Sequence, residues 1–237
     1  MKAALLLSCE HGGNRVPRRQ AALFRGARRE LDSHAGWDPG ALVLARELAR
    51  AFRAPLFATT ATRLLVDANR SAEHPRLFSA WSRSLPAAER ARILARWWAP
   101  HRAGVEAQVA ALARRRLPVL HLSVHSFTPR WKGRVRDVDI GFLHDPARPG
   151  ERAFVAAWME ALAAFAPALR LRRNRPYRGT SDGLTTSLRA RFGARVYLGI
   201  ELEVSQRFPL GPPGRWRLLR RQLRESLAAA RDGPPVA

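Results

Sequence analysis

Only one cysteine, Cys9, occurs in the chain, so an internal disulfide and any zinc site built on several thiolates are excluded. A metal bound here must use histidine and carboxylate ligands. No apolar run approaches the ~18 residues that a membrane helix needs, and the hydrophobic start "AALLLSCEHGG" runs straight into His and Gly rather than a small-residue cleavage site. We read that start as a buried first strand and expect a cytoplasmic protein. Lysine is nearly missing: of 42 basic residues only Lys2 and Lys132 are lysines, which leaves 40 arginines against 19 acidic residues. A net charge of +23 would suit nucleic acid or an anionic surface. The arginines, however, run from Arg15 to Arg231 without one basic block interleaved with aromatics. We therefore read the charge as arginine replacing lysine over the whole surface, and expect neither a nucleic-acid partner nor a membrane.

What is present is enough apolar sequence for a sizeable core, 46% of 237 residues. Short apolar runs alternate with longer amphipathic ones. The strand-like runs are "AALLLS", "APLFAT", "RLLVDA", "LPVLHLSVHSF", "VDIGFLH" and "RVYLGIELEV". Helices are expected near 39–52, 87–113, 151–165 and 214–231. Buried strands alternating with helices of ten or more residues predict a layered α/β sheet. With no internal repeat or low-complexity linker, one domain over residues 1–237 is the natural count, frayed from about residue 232. Polar, Gly-rich punctuation follows several strands at "EHGGN", "HSFTP" and "HDPARPG", and ligands gather beyond the carboxyl ends of strands in such folds.

His11 follows the first strand, where Gly12 and Gly13 let the backbone turn sharply. His125 stands in the same place after "LPVLHLSV". Two histidines on strand ends of one sheet can converge on one ion, and neutral imidazole is a good zinc ligand. For a third ligand Asp38, at the start of a helix, is the candidate, with His34 and Asn14 as competitors. "TRLLVDANRS" puts Arg63, Asn69 and Arg70 around a strand, and arginine's planar fork matches a carboxylate while the neighbouring amide can hold a second oxygen. Glu201 lies inside an otherwise apolar strand, where an unpaired carboxylate is costly. A general base beside a metal would explain it, as would an ion pair with an arginine. Glu203, two residues on, faces the same way and could take its place. "RRNRPYRGTSDGLTTSLR" reads as a polar loop able to close over a ligand, with Arg175, Tyr177 and Arg178 as candidate contacts.

Taken in order, "EHGGNRVP", "HAGWDPGA", "RLLVDANRS", "VHSFTP", "NRPYRGTSDG" and "GIELEV" resemble the motif series of the N-formylglutamate amidohydrolases, from about Leu5 to Gln206. Parts also resemble the wider zinc carboxypeptidase-like group: "VDANR" its carboxylate-binding Asn-Arg, "VHSF" its late zinc histidine, "IEL" its catalytic glutamate. The group carries a glutamate three residues after its first zinc histidine; here that residue is Asn14, which leaves Asp38 as the best-placed carboxylate. The resemblance implies a three-layer α/β/α sandwich around a mixed, mainly parallel sheet, phosphorylase/hydrolase-like and zinc carboxypeptidase-like. It implies one Zn2+ held by His11 and His125, with Asp38 our candidate for the third ligand and Glu201 as base. Arg63, Asn69, Arg70 and Tyr177 would hold a small carboxylate substrate such as N-formylglutamate. The rivals are a carboxypeptidase or amidase on peptide or cell-wall fragments, and a basic nucleic-acid-associated protein.

Overall fold

A computed structural model describes residues 3–115 and 117–232. The strands are β1 (Ala4–Cys9), β2 (Leu56–Ala58), β3 (Val119–Phe127), β4 (Arg130–Trp131), β5 (Arg134–Val135), β6 (Ile140–Leu143), β7 (Leu171–Arg173) and β8 (Tyr197–Ser205). The helices are α1 (Arg28–Leu31), α2 (Ala41–Ala51), α3 (Ala87–Ile93), α4 (Ala99–Ala113), α5 (Pro149–Phe165), α6 (Leu184–Arg191) and α7 (Pro213–Asp232). Six strands form one sheet in the order β2-β1-β3-β8-β6-β7. Within it β2, β1, β3 and β8 run parallel, while β6 pairs antiparallel with β8 and parallel with β7. The sheet is therefore mixed and mainly parallel. A separate hairpin pairs β4 with β5.

The side-chain period of two sorts the central strands into an apolar and a polar face. Leu5, Leu7 and Cys9 of β1, Leu120, Leu122 and Val124 of β3, and Leu198, Ile200, Leu202 and Val204 of β8 join one core. That core is closed by Leu44 and Leu48 of α2, Trp158 and Leu162 of α5, and Leu223 and Leu227 of α7. In α2 the buried Ala41, Leu44, Ala45 and Leu48 fall on one helical stripe. The opposite face is apolar at its amino end, where Leu6, Val119 and Tyr197 pack on Val105 and Val109 of α4 and Leu184 and Leu188 of α6. Towards the carboxyl end it carries Ser8, His121, Ser123, His125, Glu201 and Glu203, all buried. Helices on both faces make this a three-layer α/β/α fold, and the polar end of one face marks the site.

Three expectations need correction. "RLLVDA" is not a strand: Arg63–Leu65 form a turn, and Leu64, Leu65 and Val66 are buried in a satellite cluster with Phe24, Ala27, Leu77 and Ile93 instead of in the sheet. A short buried apolar run satisfies either environment, so periodicity could not separate them. The helix expected over 87–113 is divided, because Leu94–Trp98 widens to a π-helical turn between α3 and α4. The stretch taken as one polar loop contains Leu184–Arg191 as α6, whose buried Leu184 and Leu188 pack on the sheet although most of its residues are polar. In addition, β7 and the β4–β5 hairpin were not expected.

Candidate active site

The strand order reverses around β1, whose neighbours are β2 on one side and β3 on the other. A crevice opens at the carboxyl ends of strands beside such a switch. His11 lies two residues beyond β1 and His125 near the end of β3. Their loops are held tightly. Gly12 donates its amide to Thr59 O at 3.0 Å, and a Cβ on Gly13 would sit 2.9 Å from Thr60 O. The Asp38 amide donates to His11 O at 2.9 Å, which brings the loop before α2 against the first histidine.

One ligand atom each from His11, Asp38 and His125 lie within 4.8 Å of one another, and all three residues are buried. Asp38 Oδ2 is 2.9 Å from His125 Nδ1 and 3.4 Å from His11 Nδ1. The opposite ring nitrogens are engaged by two further carboxylates, His11 Nε2 with Asp67 at 2.7 Å and His125 Nε2 with Glu10 at 3.0 Å. Such partners fix ring orientation and tautomer, leaving both Nδ1 atoms directed at one point. Ser123 Oγ donates to Glu10 Oε2 at 2.6 Å, and His101 approaches Glu10 Oε1 at 3.2 Å. Asp67 is also bound by Arg63 Nη2 at 2.6 Å.

Burial by itself raises carboxyl pKa values, yet three of these carboxyls lie well below their usual range. For Asp38 the opposing cause is the adjacent His11 and His125; for Asp67 it is Arg63 and His11; for Glu10 it is His101 and His125. His125 is driven the other way: burial disfavours its charge, but Asp38 and Glu10 on either side raise it well above its ordinary value. The cluster is thus a concentration of negative charge whose two imidazoles are aimed at a common carboxylate. A borderline divalent cation accepts this donor set.

The β3–β8 register sets His125 beside Glu203 and Ser123 beside Glu201. Glu201 Oε1 accepts a hydrogen bond from Thr185 Oγ1 at 2.6 Å. Glu203 Oε2 is buried with no hydrogen-bond partner among the described residues. Burial pushes its carboxyl up to about 8, with Asp38 and Glu201 adding to the rise and His125 and Arg63 opposing it. Both glutamates line a cavity of about 770 Å³ that also reaches His11, Asp38, His125, Arg63, Asn69, Arg70 and Tyr177. The expected metal, base and substrate residues His11, Asp38, His125, Glu201, Arg63, Asn69, Arg70 and Tyr177 therefore all border one cavity.

The competitors for the third ligand position lie elsewhere. Asn14 donates to Leu31 O and Asp32 Oδ1, whereas His34 borders the cavity edge-on to Trp131, with ring centroids 5.4 Å apart. Neither joins the cluster of donors. Asn69 Oδ1 accepts the Leu184 amide at 2.8 Å and Arg70 Nη1 donates to Asp182 O at 2.7 Å. Arg178 borders the cavity as well, whereas Arg175 lays its carbonyl over Gly141, where a Cβ would come within 2.0 Å of it. Only glycine lets that loop cross β6 and bring Tyr177 to the cavity.

The N-formylglutamate amidohydrolase family model matches residues 3–208. The chain belongs to the N-formylglutamate amidohydrolase family. Gene product Atu2144 from Agrobacterium tumefaciens is 32% identical, with a TM-score of 0.81 over 97% of this chain and 90% of that one. An N-formylglutamate amidohydrolase from Ralstonia eutropha JMP134 shares the fold at 21% identity, with a TM-score of 0.70 over 96% of this chain and 93% of that one. No curated protein matches the chain. Amide hydrolysis is therefore the family chemistry in which this site is read. The sequence reading passed over Glu10 and Asp67, although both lie inside quoted motifs, directly before His11 and directly before "ANR". Period-two alternation places Glu10 on the same face as Ser8, which could have marked it.

Proposed function

We propose that this family member hydrolyses the amide bond of a small N-acyl amino acid such as N-formylglutamate, with a divalent cation of the zinc type held by His11, Asp38 and His125. The observation that carries this reading is the convergence of both Nδ1 atoms on Asp38 while Asp67 and Glu10 occupy the outer nitrogens. Bound there, the cation supplies Lewis acidity, which makes water a stronger acid and polarises the acyl carbonyl.

The chain's own residues do the rest. The register moves our choice of base from Glu201 to Glu203. Glu203 stands beside His125 with an unpartnered oxygen and a carboxyl pushed up to about 8, whereas Glu201 is tied to Thr185. A carboxylate of raised pKa takes a proton readily near neutrality. Glu203 accepts the proton of the attacking water and passes it to the leaving amine nitrogen. Arg63 is set between Asp38 at 3.7 Å and Asp67 at 2.6 Å, so we assign it to the developing oxyanion instead of the substrate carboxylate. Asn69 Nδ2 and Arg70 hold that carboxylate, so binding away from the scissile bond orients the carbonyl.

The test is hydrolysis of N-formylglutamate by zinc-supplemented enzyme. Glu203→Gln should lower kcat by about a hundredfold or more, the scale of general base catalysis, with metal content unchanged. Glu201→Gln should lower it less. If Glu201→Gln abolishes turnover while Glu203→Gln does not, Glu201 is the base.

A further inference from the structure

Arg136 is held unlike Arg63 and Arg70, with which it shares the cavity. Its guanidinium lies over three aromatic rings, 5.1 Å from Tyr177, 5.6 Å from Trp131 and 5.7 Å from Phe127. Its Nη1 donates to Thr128 O and to Tyr177 Oη, each at 3.2 Å. Among the described residues no carboxylate reaches it and no acceptor meets its Nε or Nη2, whereas Arg63 and Arg70 both have carboxylate neighbours. The rings spend their faces on the guanidinium, and the bonds to Nη1 fix its plane. The Nε–Nη2 edge has no acceptor among the described residues, and such an edge is the geometry that binds a carboxylate through two parallel hydrogen bonds. The β4–β5 hairpin carries this group to the cavity rim, with Lys132 and Gly133 at positive φ forming its turn.

The cavity has two ends. Asn69 and Glu201 flank a single point, since a Cβ on Gly183 would meet Asn69 Oδ1 at 3.1 Å and Glu201 Oε1 at 3.4 Å. Arg136 and Tyr177 instead lie with the segment that crosses Gly141 beside Glu203, two residues further along β8. If the amino acid carboxylate is held at Asn69 and Arg70 and the scissile carbonyl faces His11, Asp38 and His125, the acyl group continues towards Arg136. At about 770 Å³ the cavity has room for an acyl group larger than formyl.

We infer that Arg136 is a specificity-determining carboxylate anchor and that the preferred substrates are N-acyl amino acids whose acyl group itself ends in a carboxylate, half-amides of a short dicarboxylic acid. This rests on the amidohydrolase reading above. Hydrolysis then adds water across the amide, giving the free amino acid and the dicarboxylic acid, with no further reactant.

The test holds the amino acid fixed as glutamate and compares N-formyl, N-acetyl, N-malonyl and N-succinyl derivatives on zinc-supplemented wild type and Arg136→Gln. A carboxylated acyl group should raise kcat/KM at least about tenfold over N-acetyl, and Arg136→Gln should erase that preference, mainly through KM. Equal kcat/KM for charged and neutral acyl groups, or a preference that survives Arg136→Gln, overturns the inference. So does an Arg136→Gln variant that loses discrimination between glutamate and alanine derivatives instead, which would put Arg136 on the amino acid side. Binding of succinate against butyrate, followed by calorimetry, needs no turnover and should favour succinate in wild type only. Succinate binding that depends on Arg136, without hydrolysis of any derivative, would sink the amidohydrolase reading and leave the anchor standing.

Discussion

Replacing Glu203 by Gln keeps the shape of a buried side chain and removes a charge that the fold does not stabilise. In the metal-free chain burial raises this carboxyl from an ordinary 4.5 to about 8. A carboxyl whose pKa is higher folded than unfolded binds its proton more tightly in the folded state, so its contribution weakens stability as pH rises from about 4.5 through about 8. With about 1.36 kcal/mol for each unit of difference, the ionised carboxylate costs the fold on the order of 3–5 kcal/mol above that window. Urea denaturation of metal-stripped wild type and Glu203→Gln at about pH 5 and about pH 9 measures the difference directly. The variant should gain several kcal/mol over wild type at the higher pH and almost nothing at the lower one. A gap between the two proteins that stays constant with pH, or a variant that is less stable at both, refutes the reasoning.

Two further outcomes follow from the hydrogen bonds around the cluster. Asp67→Asn removes the charge that holds His11 Nε2 at 2.7 Å and Arg63 at 2.6 Å. Zinc affinity by chelator competition should fall about tenfold to a hundredfold, and an unchanged affinity would show that Asp67 does not position His11. Arg70→Ala should lower kcat/KM for carboxylate substrates by about tenfold to a hundredfold, and the variant should no longer distinguish them from their amides. Equal turnover of acid and amide by the wild type would remove the clamp.

The parts of the fold legible in the sequence were those where one physical signal dominates. β3 and β8 alternate apolar residues with buried polar ones over nine fully buried positions each, and α2 shows its stripe in Ala41, Leu44, Ala45 and Leu48. His11 and His125 were legible because each stands at the carboxyl end of an apolar strand before Gly or polar residues, where sites gather in such sheets. Asp38 was harder, since it reaches the cluster through the Asp38 amide–His11 carbonyl bond, a contact between loops 27 residues apart. The choice between Glu201 and Glu203 was beyond the sequence, because a period of two gives both the same face and only cross-strand register separates them. Arg136 was hidden for a different reason. Among 40 arginines nothing in composition marks one, and Tyr177, which both stacks on it and accepts its hydrogen bond, lies 41 residues away in sequence.

The central claim is that His11, Asp38 and His125 hold the cation on which hydrolysis depends. Zinc titration into metal-stripped wild type and the His11→Ala, His125→Ala double variant, with N-acyl amino acid hydrolysis read at each addition, tests it most directly. Wild-type activity should rise to a plateau at about one zinc per chain, while the folded double variant binds no zinc tightly and stays inactive. Wild-type activity that persists without metal, or a double variant that is restored by zinc as the wild type is, would contradict it.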